Sequence, residues 1–309
     1  MRSSLAFRFA FGLSLAIGGA MLSAQSPLLP STPKKGFGAS ITPAYDGWYD
    51  NADGTHTFLI GYYNRNWTQE VDIPIGPANH FEPGNPDRGQ PTHFMTNRNF
   101  GMFTITVPKN TPATEKLWWV LTLNGVTQRV PFHMSPDYNI TPEHASEESP
   151  NGKFNLPPVL RFSEAGPAIQ SPVASVASAL TRTATAGVPM PLDMWVEDDA
   201  LYASGSNAPF GARVPPIVDL TVSKYRGPGT VTVAKGQEQL TTLKGGKPAE
   251  DYAGRASTTV TFSEPGEYMI HVTVGDLSGK GGGATGCCWT TTIFKVAVAP
   301  GTGPRLTGN

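Results

Sequence analysis

Cysteine is almost missing from this chain: there are two in 309 residues, and they are neighbours, Cys287 and Cys288. One adjacent pair cannot tie distant parts of a fold together, and no Cys-x-x-Cys or histidine cluster stands near it to complete a metal knuckle. Charge is also scarce. Asp, Glu, Lys and Arg make up 15% of the residues and nearly cancel, leaving a net charge of −1. No basic stripe offers a footprint for nucleic acid, which excludes that class of partner. After residue 24 no apolar run is long enough to cross a bilayer, so no transmembrane segment is expected in the mature chain. A sustained 3.6-residue apolar period is lacking as well, so little helix is expected. The sequence has no nucleophile elbow, P-loop or HExxH, and no GxGxxG follows a strand. Serine and threonine are plentiful, but no motif marks a Ser/His/Asp arrangement, and no catalytic residue is assigned.

What the chain does have is turn chemistry, with 34 glycines and 29 prolines. Proline in ordinary proteins is about 5%, so the surplus here points to many short strands joined by turns. The first residues read as a secretory signal. Arg2 and Arg8 precede an apolar stretch from Phe9 to Leu22, and Ser23-Ala24 offers a cleavage site, with Ala20 as a second option. The mature protein is then expected in the periplasm, at the cell surface or secreted.

Strands follow in quick succession. Thr55–Asn64, introduced by the turn pair Asp53-Gly54, is the clearest. Glu70–Ile75, Gly101–Val107 and Leu160–Phe162 read as strands, and Leu117–Leu123 and Val126–Met134 flank the strong hairpin signal Asn124-Gly125. In the second half, Pro191–Val196, Ile217–Ser223, Ser257–Phe262, Tyr268–Val274 and Thr291–Val298 repeat the pattern. Length and turn spacing together predict an all-β protein of two β-sandwich domains, the second immunoglobulin-like, after an N-terminal signal peptide. The expected divisions are a signal peptide over 1–24, a flexible leader over 25–39, a sandwich over 40–165, a linker over 166–176, a second sandwich over 177–299 and a tail over 300–309.

Several residue groups could carry function. The irregular stretch 76–100 is long for a connection in a compact domain and holds His80, Asp87, Arg88 and His93. Convergence of these residues would suit a hydrolase, whereas hydrogen bonding within the loop would make them structural. The aromatic region Trp48, Tyr49, Tyr62, Tyr63 and Trp67 could stack on sugar faces or pack a core. Glu197, Asp198 and Asp199 follow one strand and Asp276 another; at one end of a sandwich such residues could meet and hold calcium as a single cofactor, or form solvated turns and hold none. Export favours a vicinal disulfide between Cys287 and Cys288, a rigid loop tip with a contact surface. Reduced thiols, an interchain bridge and soft-metal ligation stay open.

The motifs GPGTVTV, STTVTFSEPGEYMIHVTVGD and the closing FKVAV occur in the order seen in bacterial PKD-type immunoglobulin-like domains, which residues 177–299 resemble. Where that family usually carries Trp, this chain has Val222. The resemblance implies an exported, non-catalytic module for spacing or adhesion, whose partner would be another extracellular protein or a polysaccharide. The segments GWYDNADGTHTFLIGYYNRN and DRGQPTHF are similar to exported bacterial proteins without an assigned activity, and they imply no mechanism. The competing reading is a secreted carbohydrate-active hydrolase or sugar-binding accessory module built on the 76–100 loop and the nearby aromatics.

Overall fold

Two turns anticipated from the sequence close hairpins. Asn124 and Gly125 lie at φ +52° and +75°, the left-handed backbone that a tight two-residue hairpin turn demands, and Gly54, at +82°, lies in the longer connection from Asp50 to His56. The computed structural model describes residues 35–141, 155–171, 179–200, 218–234, 240–245, 250–276 and 288–301. The signal peptide, most of the expected leader and all but the start of the tail lie outside these residues. Contacts group Pro33–Asn309 into one unit.

The first half contributes β1 (Ile41–Asp50), β2 (His56–Asn64), β3 (Val71–Asp72), β4 (Asn79–Glu82), β5 (His93–Phe94), β6 (Asn97–Val107), β7 (Leu117–Leu123) and β8 (Val126–Phe132). The second contributes β9 (Val159–Arg161), β10 (Leu180–Thr185), β11 (Met190–Asp198), β12 (Val218–Arg226), β13 (Val231–Val233), β14 (Thr241–Lys244), β15 (Tyr252–Phe262), β16 (Gly266–Asp276) and β17 (Trp289–Ala299). The only helix among the described residues is one 3₁₀ turn, Pro136–Tyr138.

In the first half, sheet β1-β2-β6 shares a core with sheet β4-β7-β8, and β3 pairs with β5 beside them. Alternation sends Phe58, Ile60 and Tyr62 of β2 inward to meet Phe81, Phe103, Trp119 and Phe132. Phe81 stacks on Trp119 with centroids 5.6 Å apart, and Phe103 meets the same indole edge-on at 5.3 Å. Each such side chain, fully buried, contributes about 1.5–3 kcal/mol. β1 escapes a propensity reading because Pro43 and Gly47 interrupt it. As an edge strand it tolerates the proline, and Gly47 sits at a bulge with φ +134°, where a Cβ would lie 2.6 Å from Ile140. The bulge buries Asp46, which takes the Arg98 guanidinium and the Gly101 N–H. Burial pushes its carboxyl up to about 6, although Arg98 and Gly101 pull the other way.

The second half has sheets β10-β17-β16-β12 and β13-β15-β11-β9, with β14 also paired to β15. This is an immunoglobulin-like arrangement, in which β12, β16 and β17, with β10 at the edge, face a sheet built on the neighbouring strands β11 and β15. The core runs through Met194, Val196, Val222, Phe262, Ile270, Val272, Phe294 and Val296. The sequence motifs have a packing reason. Tyr268, at the start of β16, donates its hydroxyl to Glu264 O at 2.9 Å and accepts the Gly229 N–H at 3.1 Å. Gly227 lies against the same ring, where a Cβ would come within 2.1 Å. GPG and PGEY therefore form one corner.

Leu160–Phe162, expected to finish the first sandwich, instead adds to the second: β9 pairs antiparallel with β11, while β10 pairs parallel with β17. The chain between them crosses from one sheet to the other. Ile169, in the stretch expected to be a linker, hydrogen-bonds Leu160 and packs on the second core. The hydrogen-bond pattern of an edge strand that changes sheets leaves no periodic trace in so short a segment.

The two halves meet through Trp289. It is 1% exposed, clusters with Leu59 and Ile140, and covers Gly101, where a Cβ would meet the indole at 2.8 Å. Trp289→Ala would remove this wedge. The expected loss is about 3–5 kcal/mol, the usual cost of truncating a buried tryptophan, read as a lower urea midpoint with an unchanged m-value.

Candidate functional site

The 76–100 stretch is not an irregular loop. It forms β4, β5 and the start of β6, and its remaining turns lie against β12 of the second sandwich. The contact centres on a bulge in β12 at Lys224–Arg226, which turns three consecutive side chains toward the first half. Lys224 Nζ meets Asp72 Oδ1 at 2.9 Å. Tyr225 is fully buried, donates its hydroxyl to Gly89 O, and its carbonyl accepts the Thr92 N–H at 3.1 Å. Arg226 grips both Asp87 oxygens, at 2.9 and 2.8 Å, and also donates to Gln90 O.

The structure sends the candidate loop residues to separate tasks. Asp87 is the Arg226 partner, and hydrogen bonds from Arg226 hold its carboxyl below the usual carboxylate range. His93 puts Nε2 and Nδ1 each 3.1 Å from a carboxylate, Glu70 and Asp72. His80 stands on β4 opposite Val120. Arg88 is exposed and reaches the Asn85 and Pro83 carbonyls. His93 lines a groove of about 320 Å³ between the halves with Glu70, Asp72, Thr221, Ser223 and Lys224, and its walls include neither His80 nor Asp87. A general base needs a ring nitrogen within reach of a substrate proton, and carboxylates occupy both nitrogens of His93. The three residues that would have signalled a hydrolase do not converge.

The aromatics divide in the same way. Tyr62 is fully buried; its hydroxyl accepts the Met95 N–H, and its ring meets Phe94 edge-on. Burial pushes its phenol well above the usual range. Trp48 is half-buried and donates to Ser135 O at 2.7 Å. Trp67 is 59% exposed.

At one end of the second sandwich the acidic residues that could have met divide between surface and core. Glu197 faces outward to Arg161 at 2.9 Å, and Asp199 accepts the Leu156 N–H at 3.1 Å. Asp198 and Asp276 continue the inward faces of β11 and β16 and are 8% and 6% exposed, which is incompatible with solvated turns. Burial, reinforced by the charge of Asp276, pushes the Asp198 carboxyl up to about 8. Asn155, unremarked in the sequence, is fully buried nearby, its carbonyl oxygen 3.4 Å from Cys288 Sγ. Cys287 lies outside the described residues. Cys288 is itself fully buried, so it does not present the contact surface expected of a loop tip. No group of three His, Cys, Asp or Glu side chains gathers at a metal-binding distance among the described residues, and no helix among them is long and apolar enough to cross a membrane.

The residues that join the halves carried no local signal. Arg226 and Asp87 are 139 positions apart, and a bulge leaves no mark on a strand's alternation.

No protein-family model matches the chain, and no curated protein matches it. Among solved structures, domains 4 and 5 of the S-layer protein SbsC align over 84% of this chain and 98% of that one, at 15% identity and a TM-score of 0.18. A score that low carries no weight, so the architecture rests on the strand pairing described above.

Arg226→Met should release Asp87. Its folded pKa is depressed, so the pair's contribution to stability is present at neutral pH and disappears as pH falls through that lowered value. In the variant, a carboxyl NMR titration should place the Asp87 midpoint back in the ordinary range, and the acid limb of the stability curve should flatten.

Proposed function

We propose that this chain is an exported, non-catalytic structural or binding protein that acts through the surfaces of two β-sandwiches held together as one piece. The observation that carries this reading is the use of Asp87 and His93. The polar residues best suited to hydrolysis are committed to Arg226, Glu70 and Asp72, and Tyr62, which could have stacked on a sugar, is in the core. A secreted module that spaces or attaches needs stiffness and surface, and bidentate Arg–carboxylate pairing supplies stiffness with directional specificity. The signal-like residues 1–24 support export, and the PKD-type resemblance of 177–299 supports a spacing or adhesive role toward an extracellular protein or polysaccharide.

The full chain with a C-terminal tag, expressed in a bacterium, should appear outside the cytoplasm with Gln25 as its first residue. It should release no sugar from a panel of polysaccharides. Hydrolysis that disappears in His93→Ala would overturn the non-catalytic reading, and a tagged chain retained whole in the cytoplasm would overturn export.

Export also favours the vicinal disulfide Cys287–Cys288. Intact-mass measurement after alkylation without reductant should then show no added group, and two added groups would exclude the bridge.

A further inference from the structure

We propose that Asp198, Asp276 and Asn155 form a site for a divalent cation of the calcium class at the end of the second sandwich.

The placement follows from strand alternation. Met194 and Val196 of β11 point into the core, and Asp198, the next inward position, ends that strand. Val272 and Val274 of β16 do the same on the facing sheet, and Asp276 ends it. Two carboxylates thus stand where two leucines would otherwise close the core. Asn155 enters from the segment before β9 and joins the two strand ends. Its neighbour Leu156 donates to Asp199, its own carbonyl lies on Cys288 Sγ, and the Cys288 carbonyl accepts the Asp276 N–H at 3.3 Å.

Asp198 points to a ligand. It is 8% exposed, its Oδ2 accepts the Ala200 N–H at 2.8 Å, and its Oδ1 is buried with no hydrogen-bond partner among the described residues. No lysine, arginine or histidine among the described residues bonds to it. A buried carboxyl beside a second carboxyl ionises only with a cation at hand and otherwise keeps its proton, because desolvation and like-charge repulsion add. The side-chain donors here are carboxylate and amide oxygens, the set calcium prefers, and calcium accepts the irregular geometry of strand ends and backbone carbonyls that magnesium resists. A bound cation would fasten the last turns of β11 and β16 to the segment entering β9, at the end remote from the Gly227–Tyr268 corner. The inference draws on the proposed export only for a calcium-rich setting, and its test is chemical, so it can fail while the non-catalytic reading stands.

The mature chain, stripped with chelator and dialysed, would be titrated with calcium chloride by calorimetry and melted with and without the ion. The expected dissociation constant is on the order of 10⁻⁴ to 10⁻³ M, the range of extracellular calcium modules, with a rise in Tm of a few degrees at saturation. Asp198→Asn and Asp276→Asn should abolish both responses, and Glu197→Gln, whose side chain faces outward, should keep them. Absence of heat and of any Tm shift on the wild type up to about 10 mM calcium, or an undiminished response in Asp198→Asn, would overturn the site. Should the asparagine variants fail to fold, terbium luminescence on the wild type decides. Tyr252, paired across the strands with Asp198, should sensitise emission that calcium displaces, and lack of sensitised emission would overturn the site.

Discussion

The ion pair between Arg226 and Asp87, set in place by the β12 bulge at Tyr225, is the contact on which the joint between the two sandwiches depends. An extra residue in a strand re-aims side chains. Here it directs Lys224, Tyr225 and Arg226 into one surface of the first half, where a lysine, a phenol and a guanidinium each find an acceptor. Arg226 adds geometry to charge, since a bidentate fork holds a carboxylate in one orientation. Tyr225 supplies apolar area, joining the aromatic core of the first sandwich while its strand belongs to the second. Trp289 closes the same joint from β17, two strands along the same sheet, by covering Gly101.

This joint takes up a promising set of polar residues. His93, Glu70 and Asp72 lie in a groove and carry the groups of a general acid–base site, yet both ring nitrogens of His93 are turned to the two carboxylates. Lys224 draws Asp72, and the two carboxylates hold His93 from both sides. The opposite holds at the far end of the second sandwich. There Asp198 keeps a buried oxygen without a hydrogen-bond partner among the described residues, and burial beside Asp276 raises the cost of ionising it.

Much of the architecture was legible locally. Asn124-Gly125 demanded a two-residue turn because both positions take positive φ, and Val126 and Leu123 pair across it. Alternation in Tyr268–Val274 marked a central strand, and β16 is one. That the acidic residues at the ends of β11 and β16 could come together was open in the sequence; Asp198 and Asp276 end their strands and are both buried. Strands whose signal is diluted were less legible. Pro43 and Gly47 hid β1, and four residues each were too few to reveal β4 and β14. The transfer of β9 into the second sheet depends on which edge is free to pair, a property of neighbours distant in sequence.

The sequence by itself determined the class of fold, the hairpin turns and the inward faces of the strands, because turn dihedrals and side-chain alternation are local consequences of residue type. Tertiary structure decided what the polar residues do. Whether Asp87 serves chemistry or an ion pair depends on an arginine 139 positions away, and whether Asp198 is solvated depends on how far the facing sheet extends over it. Burial and partnership are properties of the packed chain, and neither can be read from the residue that experiences them.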